Sequence, residues 1–380
     1  QLDFDPESVD SLVDLQKLPF CGKSEIREHT ERLKAVDASD IKRFNTGGSS
    51  GEPLIFYLGN ERVSHDVAAK RRATRWWDVD IGDSEIVVWG SPIELNSQDR
   101  VRQLRDWLFR TELISAFEMS DTNLEIFVDQ IRNKKPAMLF GYPSSLAHIA
   151  KYAHSKNIRM DDLGIKVAFV TSERLYDYQR AQIESVFGCP VANGYGGRDA
   201  GFIAHECPEG AMHLTAEDII VEIIKPDGTE AVAGESGEIV VTHMATREFP
   251  FVRYRTGDIG AIGSESCSCG RGLPVLRDLQ GRTTDFLIAL DGTVIHGLAL
   301  IYILRDLDSV KEFKIIQESR ELIRVLVVPD VKWSDEDRVK IEDGFRARLG
   351  EAVQVQVGIK SEIESEKSGK RRYVVSHVSA

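Results

Sequence analysis

Three short strand-like runs alternate with helical patterns in the middle of the chain, and this alternation constrains the fold most. The runs occupy residues 137–142, 165–171 and 191–195, with helical periodicity over residues 123–133, 143–157 and 177–187. Short apolar runs joined by helices are typical of strands buried in a parallel sheet. Because strand–helix–strand connections are right-handed, helices should cover that sheet. The pattern predicts an α/β fold, which a helix at 61–77 and a strand at 86–89 extend.

Ligands of such sheets bind beyond the carboxyl ends of the strands. This rule places Tyr142, Thr171 and residues 195–199 at one rim of the predicted sheet. From about residue 214 the pattern changes to strands, at 219–224 and 237–242 around a turn at 226–228. A β-rich part therefore follows the parallel sheet.

A second change of pattern comes after residues 282–285. It consists of strands at 312–317 and 322–328, a helix between Ser334 and Gly350, and a strand at 353–359. We therefore expect two domains. Residues 1–284 should form a large N-terminal domain with helix-covered, mostly parallel sheets and the β-rich part. Residues 285–380 should form a small, mobile α+β domain at the C-terminus.

Composition argues against several classes of protein. The 380 residues, 42% of them hydrophobic, can bury a large core in two or more domains. The net charge of −13 argues against nucleic acid or an anionic membrane as a partner. No apolar run reaches the roughly 18 residues of a transmembrane helix, so we expect no membrane span.

The cysteines and the N-terminus bear on the compartment. Five cysteines do not make a disulfide framework, which favours a reducing environment. No basic-then-apolar leader is present, so we expect a cytoplasmic protein. Because the chain begins at Gln1, we also expect that an N-terminal piece precedes it.

Residues 45–53 read Asn-Thr-Gly-Gly-Ser-Ser-Gly-Glu-Pro, which is a dense cluster of glycines and hydroxyl side chains. Glycines let backbone N–H groups approach an anion, and hydroxyl groups add donors. The candidate phosphate loop consists of Thr46, Gly47, Gly48, Ser49, Ser50 and Gly51. It is not a Walker-type loop, because no Lys-Ser/Thr pair follows it. An isolated cluster of this kind is also typical of a polar surface turn.

Four further motifs share this character. They are Tyr-Gly-Gly-Arg-Asp at 195–199, Tyr-Arg-Thr-Gly-Asp at 254–258, Gly-Arg-Thr-Thr-Asp at 281–285 and Ser-Gly-Lys-Arg-Arg at 368–372. We expect the second of them to end a β-run with a turn. Taken singly, such motifs are typical of turns, helix caps and solvated charge. Their order and spacing carry the functional inference.

In this order the motifs resemble those of the adenylate-forming superfamily, which includes acyl-CoA synthetases, luciferases and peptide-synthetase adenylation domains. The chain is most similar to the phenylacetate–CoA ligase branch, especially its capsular-polysaccharide-type members. The resemblance extends from about Leu18 to the C-terminus and includes the sequence Leu-Pro-Phe-Cys-Gly-Lys at 18–23. It implies ATP and Mg²⁺ as cofactors, with a carboxylic acid as substrate.

The resemblance also implies roles for particular residues. Residues 46–51 would hold the β- and γ-phosphates of ATP. Tyr195 would stack on adenine, with Gly196 beside it, and Asp258 would bind both ribose hydroxyls. Asp199 stands where the family usually has a glutamate that helps to hold Mg²⁺.

Three further residues take their roles from the same resemblance. Arg282 would contact ribose or phosphate, and Asp285 would be the hinge of the small domain. Lys370 would steer the substrate carboxylate onto the α-phosphate. Physical chemistry supports this set, because a carboxylate and a triphosphate repel each other unless cations and N–H donors lie between them. A lysine on a closing domain would also exclude water from the product.

The acyl pocket of this fold should be built around residues 89–92, 140–145, 171–174 and 193–197. Phe140, Tyr142 and Gly194 are its candidate lining residues, although both aromatic side chains could instead serve core packing. The sequence departs from the family pattern at Gly47, Glu52 and Asp199. The stretch 291–297 also lacks a glutamate expected near the acceptor tunnel.

Four residues have the pattern of a structural zinc site: Cys207, His213, Cys267 and Cys269. Three thiolates and an imidazole suit tetrahedral zinc. His205 is a competing ligand, and reduced, unligated loop cysteines are the alternative. Cys21 and Cys189 are interpreted as packing residues.

Three functional hypotheses follow. The first is an ATP-dependent, AMP-forming ligase that makes an acyl-adenylate and transfers the acyl group to a thiol, coenzyme A. The second is an amide- or ester-forming relative that acylates an amine or hydroxyl group of a sugar or metabolite. The third is a catalytically silent nucleotide-binding protein, which the substitutions at Gly47, Glu52 and Asp199 motivate.

Overall fold

The computed structural model describes residues 11–46, 54–89, 100–115, 119, 121–280, 286–363 and 374–378. Several residues assigned to the site lie outside these ranges: Gly47, Gly48, Ser49, Ser50, Gly51, Arg282, Asp285 and Lys370. The described chain divides into two compact units. The first unit contains residues 11–46, 54–73 and 195–280, and the second contains the other described residues.

The helices and strands of the described residues are numbered in chain order. The helices are α1 (Leu12–Leu15), α2 (Lys23–His29), α3 (Asn60–Arg75), α4 (Arg100–Leu108), α5 (Asp121–Lys134), α6 (Pro143–Ser155), α7 (Asp177–Phe187), α8 (Leu298–Arg305) and α9 (Asp335–Leu349). The strands are β1 (Lys42–Asn45), β2 (Ile55–Leu58), β3 (Glu85–Trp89), β4 (Thr111–Ser115), β5 (Met138–Gly141), β6 (Val167–Thr171), β7 (Val191–Gly197), β8 (Gly201–Glu206), β9 (Met212–Leu214), β10 (Ile219–Ile224), β11 (Gly237–His243), β12 (Phe251–Ile262), β13 (Val275–Gln280), β14 (Phe286–Ile288), β15 (Val294–His296), β16 (Val310–Gln317), β17 (Leu322–Pro329), β18 (Gln354–Ile359) and β19 (Val374–Ser376).

The predicted parallel sheet forms part of the second unit. Its strands lie in the order β7-β6-β5-β3-β4, and every neighbouring pair is parallel. All residues of β5 and β6 are buried, as their continuous apolar sequences predict. The local signals agree: α6 begins at Pro143, and α7 ends at Gly188, whose φ of 66° is left-handed.

The first unit contains the β-rich part. Six of its strands form an antiparallel arrangement in the order β10-β11-β12-β13-β9-β8. The β1–β2 hairpin precedes α3 and packs through Phe56, whose ring meets that of Phe251 at 5.6 Å, edge to face. Phe251 in turn contacts the ring of Tyr254 at 5.2 Å. This aromatic core connects the strand after the glycine loop to β12.

The strand β12 corrects one expectation. The sequence at 254–258 predicted a turn that ends a β-run, yet β12 continues to Ile262. Its register against β11 shifts, because Val240 pairs with Arg255 whereas Glu238 pairs with Ile259. The extra residues form a bulge around Gly257, whose φ of 82° a side chain would disfavour. The glycine therefore bends the strand instead of ending it.

The C-terminal part of the second unit has its own sheet and core. Its strands lie in the order β18-β17-β16-β19. The core contains apolar residues of this sheet and of α8 and α9, including Leu300, Ile341 and Phe345. The predicted β–β–α–β sequence corresponds to β16, β17, α9 and β18. The hairpin β14–β15, the helix α8 and the strand β19 were not predicted.

No helix in the described part of the chain has both the length and the apolar character that crossing a bilayer requires.

Candidate nucleotide site and metal centre

Two tyrosines join the two aspartate motifs of the first unit. The hydroxyl group of Tyr195 donates to Oδ2 of Asp258 over 2.9 Å. The hydroxyl group of Tyr254 donates to Oδ2 of Asp199 over 2.6 Å. The tyrosine of each motif thus binds the aspartate of the other, although the partners lie 63 and 55 residues apart in sequence. We call these two hydrogen bonds the crossed pairs.

Asp199 is held firmly on one side. Its side chain is buried, and Oδ1 accepts a hydrogen bond of 3.1 Å from the N–H of Ala200. Tyr254 is fully buried, so its hydroxyl group reaches Asp199 from within the core. The hydrogen bond of Tyr254 was not predicted. The sequence does contain a signal for it, because residues 195–199 and 254–258 have the same Tyr-x-x-x-Asp spacing.

The glycines of residues 195–199 permit the close approach of the backbone. A Cβ atom on Gly196 would lie 2.1 Å from the carbonyl oxygen of Gly201. A Cβ atom on Gly197 would lie 2.6 Å from Oδ1 of Asp199. Side chains at these positions would push the turn apart. The two glycines are therefore required for the backbone conformation that positions Asp199, whether or not a ligand binds there.

Asp258 sits on the bulge of β12. Its N–H donates to the hydroxyl oxygen of Thr256 over 3.1 Å. That hydroxyl group itself donates to the carbonyl oxygen of Ile239 on β11 over 2.8 Å. The buried threonine thus fixes the bulge, and the bulge directs the half-buried Asp258 towards Tyr195.

Thr46 closes the base of the glycine loop. Its N–H donates to the carbonyl oxygen of Leu54 over 3.0 Å, and its hydroxyl oxygen accepts from the N–H of Leu54 over 3.0 Å. The two ends of the loop are therefore held together. Because the hydroxyl oxygen accepts in this bond, the bond itself does not use the proton of the Thr46 hydroxyl group.

Aromatic rings gather at the carboxyl ends of β3 and β5 in the second unit. The ring of Trp89 stacks on Tyr142 at 4.4 Å and on Phe140 at 6.2 Å. Phe140 also stacks on Phe169 at 5.8 Å and is largely buried. A Cβ atom on Gly194 would lie 2.9 Å from the Phe169 ring, which explains the glycine. Half-buried Trp89 and Tyr142 offer a flat apolar wall.

The four zinc-pattern residues converge in the first unit. One ligand atom from each of Cys207, His213, Cys267 and Cys269 lies within 4.8 Å of every other. The sulfur atoms of Cys207 and Cys267 are 3.8 Å apart. Two thiolates on one tetrahedral zinc ion would be separated by about 3.8 Å. The donor set and its spacing therefore fit zinc.

Neighbouring groups orient the members of this cluster. Nδ1 of His213 lies 3.2 Å from the carbonyl oxygen of Leu273, so an Nδ1–H donor would make Nε2 the metal-binding atom. Nε2 lies 3.2 Å from the sulfur of Cys269. Burial raises the pKa of the Cys207 thiol. At Cys269, burial raises the pKa of the thiol, but hydrogen bonds from Arg271 and from the other two thiols stabilise the thiolate. Together these effects lower the pKa of Cys269 to about 6.

His205 lies outside this group of four. Its ring stacks on Phe202 at 5.2 Å, and Nδ1 lies 3.4 Å from the hydroxyl oxygen of Thr215. Burial lowers the pKa of His205 to about 3, so the ring is neutral near pH 7. These contacts favour His213 over His205 as the fourth ligand.

Comparisons with known proteins agree with the fold and the motifs. Residues 287–377 match the family described as the CapK C-terminal domain. The chain is 23% identical to protein CapK of Staphylococcus aureus, over 97% of this chain and 81% of CapK. It is 24% identical to the phenylacetate-coenzyme A ligase of Thermus thermophilus, over 75% of this chain and 64% of that ligase. The predicted family resemblance is confirmed.

A solved structure extends this result to the fold. The structure of 2-hydroxyisobutyryl-CoA ligase in complex with 2-HIB-AMP and CoA is similar to this one. The match covers 98% of this chain and 83% of that ligase, with a TM-score of 0.69 and a sequence identity of 20%. The predicted fold class, a mixed α/β protein with a smaller C-terminal part, is confirmed. The prediction of similarity to acid–thiol ligases is also confirmed, because a relative in sequence is named a CoA ligase.

Proposed function

We propose that this chain acts as an ATP-dependent, AMP-forming ligase. It activates a carboxylic acid as an acyl-adenylate and transfers the acyl group to the thiol of coenzyme A. The crossed pairs carry this proposal, because they bring three residues together in the first unit. These are Tyr195, proposed to contact adenine, Asp258, proposed to bind ribose, and Asp199, proposed to help hold Mg²⁺.

The donor sets suit the roles. One carboxylate oxygen of Asp258 accepts from Tyr195, and a carboxylate can accept several hydrogen bonds, including those that ribose hydroxyl groups would donate. Tyr195 presents an aromatic ring beside it for adenine. Asp199 supplies a carboxylate of the kind that Mg²⁺ combines with water and substrate phosphates. When bound, Mg²⁺ would neutralise the phosphate charge that repels the incoming carboxylate.

We propose that the glycine loop, residues 46–51, and Arg282 contact the phosphates or ribose, and that Lys370 steers the substrate carboxylate. The base of the loop is tied by Thr46, which supports the first part. The lid is proposed to be residues 285–380, with its hinge at Asp285. The CapK C-terminal domain match starts at residue 287, close to that hinge, which supports the boundary.

The substrate pocket is proposed to be lined by Phe140, Tyr142 and Gly194. The stacked rings of Trp89 and Tyr142 support this proposal, because they form an apolar wall at the rim where α/β sheets bind ligands. The Cys₃His cluster is proposed to hold a structural zinc ion, as its spacing supports. We place the reaction in the cytoplasm, where ATP, coenzyme A and reduced thiols occur together.

The first experiment is carboxylate-dependent exchange of pyrophosphate into ATP, with a panel of aryl, fatty, hydroxy and amino acids. Exchange with one class of acid supports acyl-adenylate formation. No exchange with any acid, combined with measurable ATP binding, would instead identify a silent nucleotide-binding protein.

The second experiment identifies the acceptor. AMP release is measured with the preferred acid and either coenzyme A or a series of amines and sugar alcohols. Release that depends on coenzyme A supports the proposed ligase. Release that depends only on an amine or hydroxyl compound contradicts the thiol acceptor and identifies an amide- or ester-forming enzyme.

A further inference from the structure

An arginine is fully buried next to the turn that carries Asp199. Arg62 lies on α3, and its side chain is 1% exposed. Nε donates to Oδ2 of Asp66 over 3.0 Å, and Nη1 donates to the backbone carbonyl oxygen of Asp199 over 3.4 Å. Arginine is rarely buried completely, because desolvation of its charge costs free energy that good partners must offset. Its placement against this particular turn therefore needs an explanation.

The groups around Arg62 account for its charge. Asp66 is its ion-pair partner, and Nε2 of His243 lies 4.0 Å from Oδ1 of Asp66. Burial, and then the positive charge of Arg62, lower the pKa of His243 to about 3. The histidine is therefore neutral near pH 7, and Arg62 is the cation that compensates Asp66. The three side chains form a cluster in the first unit in which Arg62 and His243 are buried and Asp66 is half-buried.

This cluster also contacts the backbone just beyond Asp199. Gly201 has a φ of 85°, and a Cβ atom there would lie 2.9 Å from Nη2 of Arg62 and 2.9 Å from the His243 ring. Arg62 thus binds the carbonyl group of residue 199 and packs directly on residue 201. Arg62 therefore contacts the backbone at residue 199, before Ala200, and at residue 201, after it. These two contacts fix the backbone from which the Asp199 carboxylate projects.

We infer that Arg62 is a positioning residue for Asp199. This inference rests on the proposed function, in which Asp199 helps to hold Mg²⁺. The guanidinium group binds Asp66 and the carbonyl oxygen of Asp199 at the same time through separate nitrogen atoms. A lysine has a single nitrogen and cannot reproduce this fork. The helix α3 follows the glycine loop and β2 directly in sequence. Arg62 therefore also connects this part of the chain to Asp199.

The test compares Arg62→Lys with Arg75→Lys. Arg75 lies on the same helix, but it is 56% exposed and binds Asp80 at the surface. We expect Arg62→Lys to raise the Mg²⁺ concentration for half-maximal pyrophosphate exchange by roughly tenfold, as loss of a group supporting a metal ligand does. Hydrogen exchange of residues 196–203 should also accelerate in the absence of any ligand. Arg75→Lys should change neither quantity.

A double variant separates positioning from general stability. If Arg62 acts through Asp199, Arg62→Lys has little further effect on Mg²⁺ dependence when Asp199→Asn is already present. Multiplicative effects of the two changes would overturn the inference. If Arg62→Lys does not fold, Asp66→Asn removes the anchor of the arginine and is measured in its place.

The outcomes also separate this inference from the proposed function. No exchange by the unaltered protein with any acid overturns both. Exchange in which Arg62→Lys matches Arg75→Lys in Mg²⁺ dependence and in hydrogen exchange of residues 196–203 overturns the positioning role alone.

Discussion

The crossed pairs make a quantitative prediction for Tyr254→Phe. This change removes one hydroxyl group and keeps the ring that contacts Phe251 at 5.2 Å. The lost hydrogen bond to Asp199 is 2.6 Å long, is buried and has a charged acceptor. Such bonds contribute about 1.5–3 kcal/mol to the free energy of unfolding. Asp199 keeps the N–H of Ala200 as a donor, so we expect a loss of about 2 kcal/mol.

The assay is urea unfolding followed by circular dichroism. For a slope of roughly 3 kcal/mol per molar urea, the expected loss lowers the midpoint by about 0.7 M. Tyr57→Phe is the matched control, because it removes a hydroxyl group from the same unit. Its bond to Glu31 is exposed and 3.3 Å long, so the midpoint should shift much less than for Tyr254→Phe.

Asp199→Asn completes the comparison. In that background, Tyr254→Phe should destabilise the protein by less than about 1 kcal/mol, because its acceptor is no longer charged. Equal midpoints for Tyr254→Phe and Tyr57→Phe would refute the reasoning, since the buried bond would then contribute no more than the exposed one.

The other predictions concern the metal centre, the turn and the lid. Metal analysis should find one zinc ion per chain; Cys269→Ser should release it and lower the melting temperature, whereas Cys21→Ser should retain it. Gly196→Ala should lower the free energy of unfolding in urea by several kcal/mol, because its Cβ atom would lie 2.1 Å from a carbonyl oxygen. In the control Gly272→Ala, the Cβ atom meets nothing within 4 Å, and the expected loss is less than about 1 kcal/mol. Lys370→Ala should reduce single-turnover acyl-adenylate formation by at least roughly a hundredfold and leave ATP affinity unchanged; unaltered activation kinetics would contradict its role.

The parallel sheet was predictable from sequence because its signals are local. The strands β5, β6 and β7 are short, β5 and β6 are largely apolar, and each of the three follows or precedes a helix with recognisable ends such as Pro143 and Gly188. The strand β12 was harder. A Gly-Asp pair is compatible with a turn and with a bulge, and only the pairing with β11 distinguishes them. The three-residue strand β19 depends on its partner β16, which lies far away in sequence.

The site shows the same division between local and non-local information. The sequence predicted Tyr195, Asp199 and Asp258 as candidates because they belong to compact motifs. It assigned no role to Tyr254 and none to Arg62. Periodicity assigns Arg62 to an amphipathic helix, where an arginine is ordinarily exposed. Its burial depends on Gly201, a residue far along the chain whose open Cα lets the guanidinium group approach.

In the proposed function, the crossed pairs also explain how two carboxylates can belong to a site for a polyanion. Each aspartate donates nothing when ionised, and both would repel a triphosphate if left bare. Tyrosine hydroxyl groups stabilise both carboxylates without adding charge. In the proposed function, Asp258 would accept hydrogen bonds from neutral ribose donors, whereas Asp199 would attract a cation that bridges to phosphate. Reciprocal pairing would couple these two proposed tasks, because displacement of either motif weakens a hydrogen bond to the aspartate of the other.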